Sequence, residues 1–167
     1  QYILENHDLD DDKKITQYDM INIGKINIAN KNISSLNGLE NATNLREINA
    51  AHNNISDLNP IKDLTNLESI DFVHNKIKDI SPLEKLVNLG MSANSLCNNL
   101  IEDITPLKEF DPEVARQIDF MGNYIDVSEG TKNREALEKL GFDQYTMACF
   151  EISQKYKSPD ERNDILE

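Results

Sequence analysis

Long hydrophobic runs, cysteines and basic clusters are all scarce in this chain, and each scarcity removes a class of function. No apolar stretch exceeds a few residues, so there is no membrane-spanning helix, which needs about 20 consecutive apolar residues. Cys97 and Cys149 stand 52 positions apart. Two cysteines make no disulfide framework, and no CxxC or Cys/His spacing suggests a metal knuckle. They read as two reduced, partly buried thiols. Lys and Arg number 17 against 30 Asp and Glu, for a net charge of −13. Nothing in that balance could oppose the dense negative charge of nucleic acid or an anionic membrane surface. Basic partners and divalent cations are compatible with it, and solubility is the simplest role for most of the charge. No GxSxG, HExxH, Walker loop or GxGxxG occurs, so no enzyme signature is present. No basic-then-apolar leader stands at Gln1, so the chain reads as a mature product or as an excised segment.

What is present is a repeat. Leu45, Ile48, Ala50, Asn53, Ile55, Leu58, Pro60 and Ile61 return 22 positions later as Leu67, Ile70, Phe72, Asn75, Ile77, Ile80, Pro82 and Leu83. A shift of 24 gives Met91, Asn94, Leu96, Asn99, Ile101, Ile104, Pro106 and Leu107, and a further 24 gives Ala115, Ile118, Phe120, Asn123 and Ile125. One step earlier stand Ile23, Ile26, Ile28, Lys31, Ile33, Leu36 and Leu39. Self-similarity at this period is the signature of leucine-rich-repeat architecture. One coil cannot close a core by itself, whereas stacked coils share one. The short segment around each second apolar position forms a strand, and successive strands pair in parallel at about 4.8 Å. Asn53, Asn75, Asn99 and Asn123 form a ladder that satisfies backbone groups at the inward turn, with Lys31 marking an atypical first coil. The segments SDLNPI, KDISPL and EDITPL lie on the convex side. The third coil is irregular: it carries two extra residues, and Asn94 occupies an apolar place. Either its register differs locally or the strand bulges there, near Gly90.

The predicted fold is therefore an α/β leucine-rich-repeat solenoid of about five coils of 22–24 residues. Its parallel strands line the concave face and a cap closes each end. The expected organisation is an N-terminal cap with an acidic loop at 1–22, repeats at 23–127, a C-terminal helical cap at 128–141 and a tail or linker at 142–167. In the C-terminal cap, NREALEKLGF reads as a helix ending at Gly141 that lays Leu137 and Leu140 over the open end of the last coil.

The unit LTNLESIDFVHNKIKDISPLEKL, and the lead-in ITQYDMINIGKINIANKNISSLNGLENATNL, resemble the internalin-type leucine-rich repeats of bacterial surface and secreted proteins. The resemblance covers about residues 15–127. It implies a non-enzymatic array that binds another protein on its concave face, outside the bacterial cell.

Residues 8–19, DLDDDKKITQYD, carry a second pattern. Counted from Asp8, acidic side chains fall at loop positions 1, 3 and 5 (Asp8, Asp10, Asp12), Ile15 at 8 and Asp19 at 12. This is the spacing of an EF-hand-type calcium loop, and it resembles the dockerin-like variant that ends in Asp. Ca²⁺ takes six to eight hard oxygens. Asp8, Asp10, Asp12 and Asp19 would give carboxylates, Lys14 its carbonyl, and Thr16 its hydroxyl or a water. Lys13 stands where the loop normally has Gly. The alternative is a degenerate loop that only caps the solenoid.

The side chains flanking each inward strand residue point outward. Those expected to meet a protein partner are Lys25 and Asn27, then Arg46, Glu47 and Asn49, then Glu68 and Asp71, then Arg116 and Asp119. This face is mixed in charge and lacks an aromatic anchor, so a polar contact of small footprint fits it better than a tight apolar one. Substituting Arg46 or Asp71 is expected to alter capture of the partner without changing stability. His52 and His74 share one repeat position, about 5 Å apart in the stack. They read either as two surface histidines or as a pair able to hold a transition metal, with no third ligand evident. The functional expectation is a protein–protein interaction module. The alternatives are a structural spacer or adaptor in a larger protein and an intracellular regulatory repeat protein.

Overall fold

The structure, a computed structural model, describes residues 14–89 and 94–142. Five short strands, β1 (Lys25–Asn27), β2 (Glu47–Asn49), β3 (Ser69–Asp71), β4 (Asn94–Ser95) and β5 (Ile118–Asp119), form one sheet in sequence order. Every neighbouring pair is parallel. Ile26 is in register with Ile48, and Ile48 with Ile70. In each of the first three strands the middle residue is buried while its neighbours are not, as a pleat requires. The chain is thus the leucine-rich-repeat solenoid that the periodicity predicts.

Opposite the sheet lie four 3₁₀ turns, Leu39–Asn41, Asn59–Ile61, Ser81–Leu83 and Thr105–Glu109. The last three carry Pro60, Pro82 and Pro106 in their first turn. Proline lacks the N–H that this position cannot satisfy, and its ring presets φ. An aspartate two residues before each of these turns prepares the entry. Asp57, Asp79 and Asp103 each accept the backbone N–H two residues on, at 2.8 Å. Between sheet and turns runs one apolar column from Met20 to Leu140, with Phe72 at its centre, fully buried.

The asparagine ladder is the polar counterpart of that column. Asn53, Asn75, Asn99 and Asn123 are buried. Asn75 donates to the carbonyls of Ala50 (2.9 Å) and Phe72 (3.1 Å) and accepts the N–H of Ile55 at 2.9 Å. Asn99 and Asn123 repeat the arrangement one and two coils further on. Asn53 accepts from both Lys31 and Ile33 in the first coil, so the break in the ladder at Lys31 leaves those amides satisfied.

Both 24-residue coils take their extra residues at the same place, between the 3₁₀ turn and the strand. In the third coil the place expected for Met91, which lies outside the described residues, is taken by Leu89. Leu89 is buried and its N–H bonds Leu86 O at 3.1 Å, just as Leu67 bonds Leu64 (3.0 Å) and Leu45 bonds Ala42 (2.9 Å). The insertion therefore lies between Leu89 and Asn94. The suggested bulge at Gly90 falls on residues 90–93, outside the described residues. Asn94 takes the place of Ile70 and Ile118 in register, and it is buried. Its Oδ1 accepts the Ile70 N–H at 2.9 Å, so a side chain serves the ladder there. In the fourth coil the extra residues form a short helix, α2 (Pro112–Arg116), where the sequence suggested only a degraded coil. Asp111 caps α2, accepting from Glu113 N, and Pro112 is its first residue.

Two helices bound the array. α1 (Gln17–Asn22) precedes β1, and α3 (Lys132–Lys139) follows the last coil with Thr131 as its cap. Leu137 is fully buried and Leu140 nearly so. Gly141, at φ 76, ends α3 in the left-handed conformation that favours glycine. Asn133 links the cap to the last coil: it accepts Ile104 N–H at 3.0 Å and donates to the carbonyls of Glu102 and Asp126. Among the described residues no helix is long and apolar enough to cross a membrane.

Candidate functional site

The outward face of the sheet is a set of columns, one residue from each coil. Strand pairing places Lys25 beside Glu47, and their side chains form an ion pair at 2.6 Å. Arg46 bridges to Glu68 across the next pair of coils. Four of the predicted contact residues are therefore present, outward and mutually paired. The charges cancel locally over the first three coils.

The next column does structural work that the sequence reading missed. Asn27, Asn49, Asp71 and Asp119 each accept, through Oδ1, the backbone N–H two residues on, from Ala29 (3.1 Å), Ala51 (3.2 Å), Val73 (3.1 Å) and Met121 (2.9 Å). Ser95 makes the same turn through its hydroxyl, at 3.4 Å to Cys97 N. A short polar side chain that binds its own backbone two residues ahead closes a strand exit. The recurrence of Asn, Asp or Ser at these five positions was the available signal. These side chains hold the turn.

Arg116 departs furthest from expectation. It ends α2 instead of lying on a strand. Its guanidinium donates to the Leu140 carbonyl at the end of α3 and pairs with Glu113. A cation on the last carbonyls of a helix complements both the unmet acceptors and the dipole. Arg116 is thus a clasp between the last coil and the cap.

Beyond the turns runs a column of small and apolar side chains, Ala29, Ala51, Val73, Cys97 and Met121. It widens along the array, from nearly buried Ala51 to Met121, which is 45% exposed. Half-burial pushes the Cys97 thiol above its ordinary value. The column after it is left-handed in every coil: Asn30 (φ 57), His52 (55), His74 (54), Asn98 (54) and Gly122 (77).

The calcium ligand set is only partly within view. Asp8, Asp10 and Asp12 lie outside the described residues. Thr16 and Asp19 form a capping box at the start of α1, with the Thr16 N–H and hydroxyl both donating to Asp19 Oδ2, at 2.8 and 2.6 Å. Asp19 is buried and Lys14 exposed. Among the described residues no group of three or more His, Cys, Asp or Glu is placed to hold a metal.

A family model for leucine rich repeats (two copies) matches residues 43–85, the two most regular coils. Among solved structures the chain is similar to an internalin (inlF) from Listeria monocytogenes, with a TM-score of 0.64 and 26% identity, over 84% of this chain and 38% of that one. It is also similar to an internalin C2 from the same organism, with a TM-score of 0.34 and 21% identity, over 77% of this chain and 72% of that one. The chain thus spans well under half the length of the first of these internalins. No curated protein matches it.

Proposed function

We propose that this solenoid binds a protein partner through the outward face of its first three coils, in a setting outside the bacterial cell. Leucine-rich-repeat proteins generally mediate protein–protein interaction. The observation that carries the reading here is the pair of cross-coil bridges, Lys25–Glu47 and Arg46–Glu68. They set four long side chains in an alternating pattern of charge across adjacent coils. A patterned polar surface selects a partner by electrostatic complementarity. The extracellular setting rests on the likeness to the Listeria internalin. Without an aromatic anchor on this face, the partner reads a polar pattern instead of filling an apolar pocket.

The test is comparative capture. Bacterial-surface and host-surface protein extracts are passed over the wild-type chain and over the Arg46→Glu, Lys25→Glu double variant. A partner retained by the wild type and lost by the variant supports the reading. Partners retained equally by both would take the binding surface away from these bridges, and capture of none by the wild type would leave the chain as a spacer or adaptor with no partner of its own.

Calcium binding at residues 8–19 is a separate proposal, carried by the sequence spacing alone. The Thr16–Asp19 capping box stands where the outgoing helix of such a loop would begin. Calorimetric titration of Ca²⁺ into chelator-stripped protein tests it: heat of binding and a higher melting temperature are expected, and neither at millimolar Ca²⁺ would remove it.

A further inference from the structure

The left-handed column poses a question of its own. Its turn needs positive φ in every coil, a conformation that Gly, Asn and His adopt more readily than other residues, and three of the five positions carry Asn30, Asn98 and Gly122. The two central positions carry His52 and His74 instead, at φ 55 and 54. Neither imidazole is required by the turn. The backbone does not dictate imidazole at two adjacent positions, and the pairing points to a use for the side chains.

The coil stack gives that use a geometry. The His52 N–H bonds Val73 O at 2.8 Å and the His74 N–H bonds Cys97 O at 3.0 Å, so both backbones are held by the next coil. The rings stack with centroids 4.6 Å apart and planes 22° from parallel, and both residues are exposed. We propose that His52 and His74 together form a two-ligand site for a divalent transition-metal ion of the imidazole-preferring class, Ni²⁺, Cu²⁺ or Zn²⁺.

Such an ion sits about 2.0–2.1 Å from each nitrogen, which places two tetrahedral ligand nitrogens about 3.3 Å apart. Imidazole binds a metal through a lone pair in the ring plane, so the two exposed rings must rotate about their side-chain torsions out of the stack until their nitrogens converge, while the fixed backbones need not move. No third His, Cys, Asp or Glu joins the pair among the described residues, and water can complete the coordination of such an ion. A site with open positions binds more weakly than a closed structural one and leaves room for a ligand from a partner molecule. The inference is independent of the protein-binding reading, since it uses neither ion pair of the sheet face.

The test uses the full chain without a purification tag. Ni²⁺, Cu²⁺ and Zn²⁺ are titrated into the wild type, His52→Asn and His74→Asn, followed by calorimetry. Asparagine already occupies this left-handed position in two other coils, so both variants are expected to fold. One ion per chain is expected for the wild type, with affinity reduced at least about tenfold in each variant. In the wild type, substoichiometric Cu²⁺ is expected to broaden the His52 and His74 resonances before any others. Affinity unchanged in both variants, broadening centred on His7 or the acidic segment, or no binding at millimolar Ni²⁺ would each overturn the proposal.

Discussion

The Oδ1 of Asn75 accepts the backbone N–H of Ile55 at 2.9 Å, a bond that reaches back twenty residues along the chain into the preceding coil. The same side chain donates to carbonyls of both coils, Ala50 and Phe72. Asn75→Ala strands these groups inside the solenoid. At about 1–3 kcal/mol for each buried group left unsatisfied, a loss of about 3 kcal/mol or more is expected. Chemical denaturation of wild type and variant measures it. A loss below about 1 kcal/mol would mean that the ladder is dispensable.

Arg46 and Glu68 allow stability to be separated from recognition. Their pair is exposed, and exposed pairs contribute only about 0–1 kcal/mol. The exchange Arg46→Glu with Glu68→Arg is therefore expected to leave the denaturation midpoint nearly unchanged while abolishing capture of the partner. Asp71 is not a silent position in this sense. Because it accepts the Val73 N–H, Asp71→Ala is expected to cost about 1 kcal/mol as well as to alter binding.

Gly122 is held at φ 77, and a Cβ placed there would lie 2.2 Å from Asn98 Oδ1. Gly122→Ala is expected to destabilise by about 1–2 kcal/mol. Adding Asn98→Gly removes the collision and leaves the backbone cost, so the double variant should recover only part of the loss. Full recovery would place the whole effect in the collision.

Asp126 supplies a pH-dependent readout near the cap. Its Oδ1 accepts from the Ser128 hydroxyl at 2.6 Å and the Ser128 N–H at 2.9 Å. These bonds, the hydroxyl first, hold its carboxyl below the ordinary aspartate value. The folded state then holds this proton more weakly than the unfolded state. The contribution is present above the ordinary aspartate range and is lost as pH falls through the depressed value. Carbon-detected NMR titration is expected to show the low midpoint, and Ser128→Ala should move it back toward an ordinary aspartate. An unchanged midpoint in the variant would assign the shift to another group.

Where the sequence could be read, a residue's place followed from its own chemistry repeated at fixed intervals. Ile48, Ile70 and Ile118 share a buried column, and Asn53, Asn75, Asn99 and Asn123 form the ladder, because apolar and amide side chains recurring once per coil have a single way to stack. Lys25 and Glu47 were legible as outward residues, and their pairing came with the strand register. Less legible was where two extra residues would go. Met91 and Leu89 are both apolar, so the pattern tolerated either as the inward residue. Asp111–Pro112 was a readable helix start, but it was hidden inside a coil already assigned to the repeat.

The face of the sheet was visible as a list of outward residues and invisible as a division of labour. Asn27, Asn49, Asp71 and Asp119 look like free polar groups until the turn behind each strand is built.

By itself the sequence determined the solenoid, its period, its core and its ladder, since these depend on which side chains leave water and at what spacing. Tertiary structure alone decided the rest: that Asn94 serves Ile70, that Arg116 clasps Leu140, and that the neighbouring His52 and His74 are left-handed with their rings nearly parallel. In each of those cases the partner comes from a different coil or cap. Its distance is fixed by stacking and by backbone torsions, neither of which the residue's own identity specifies.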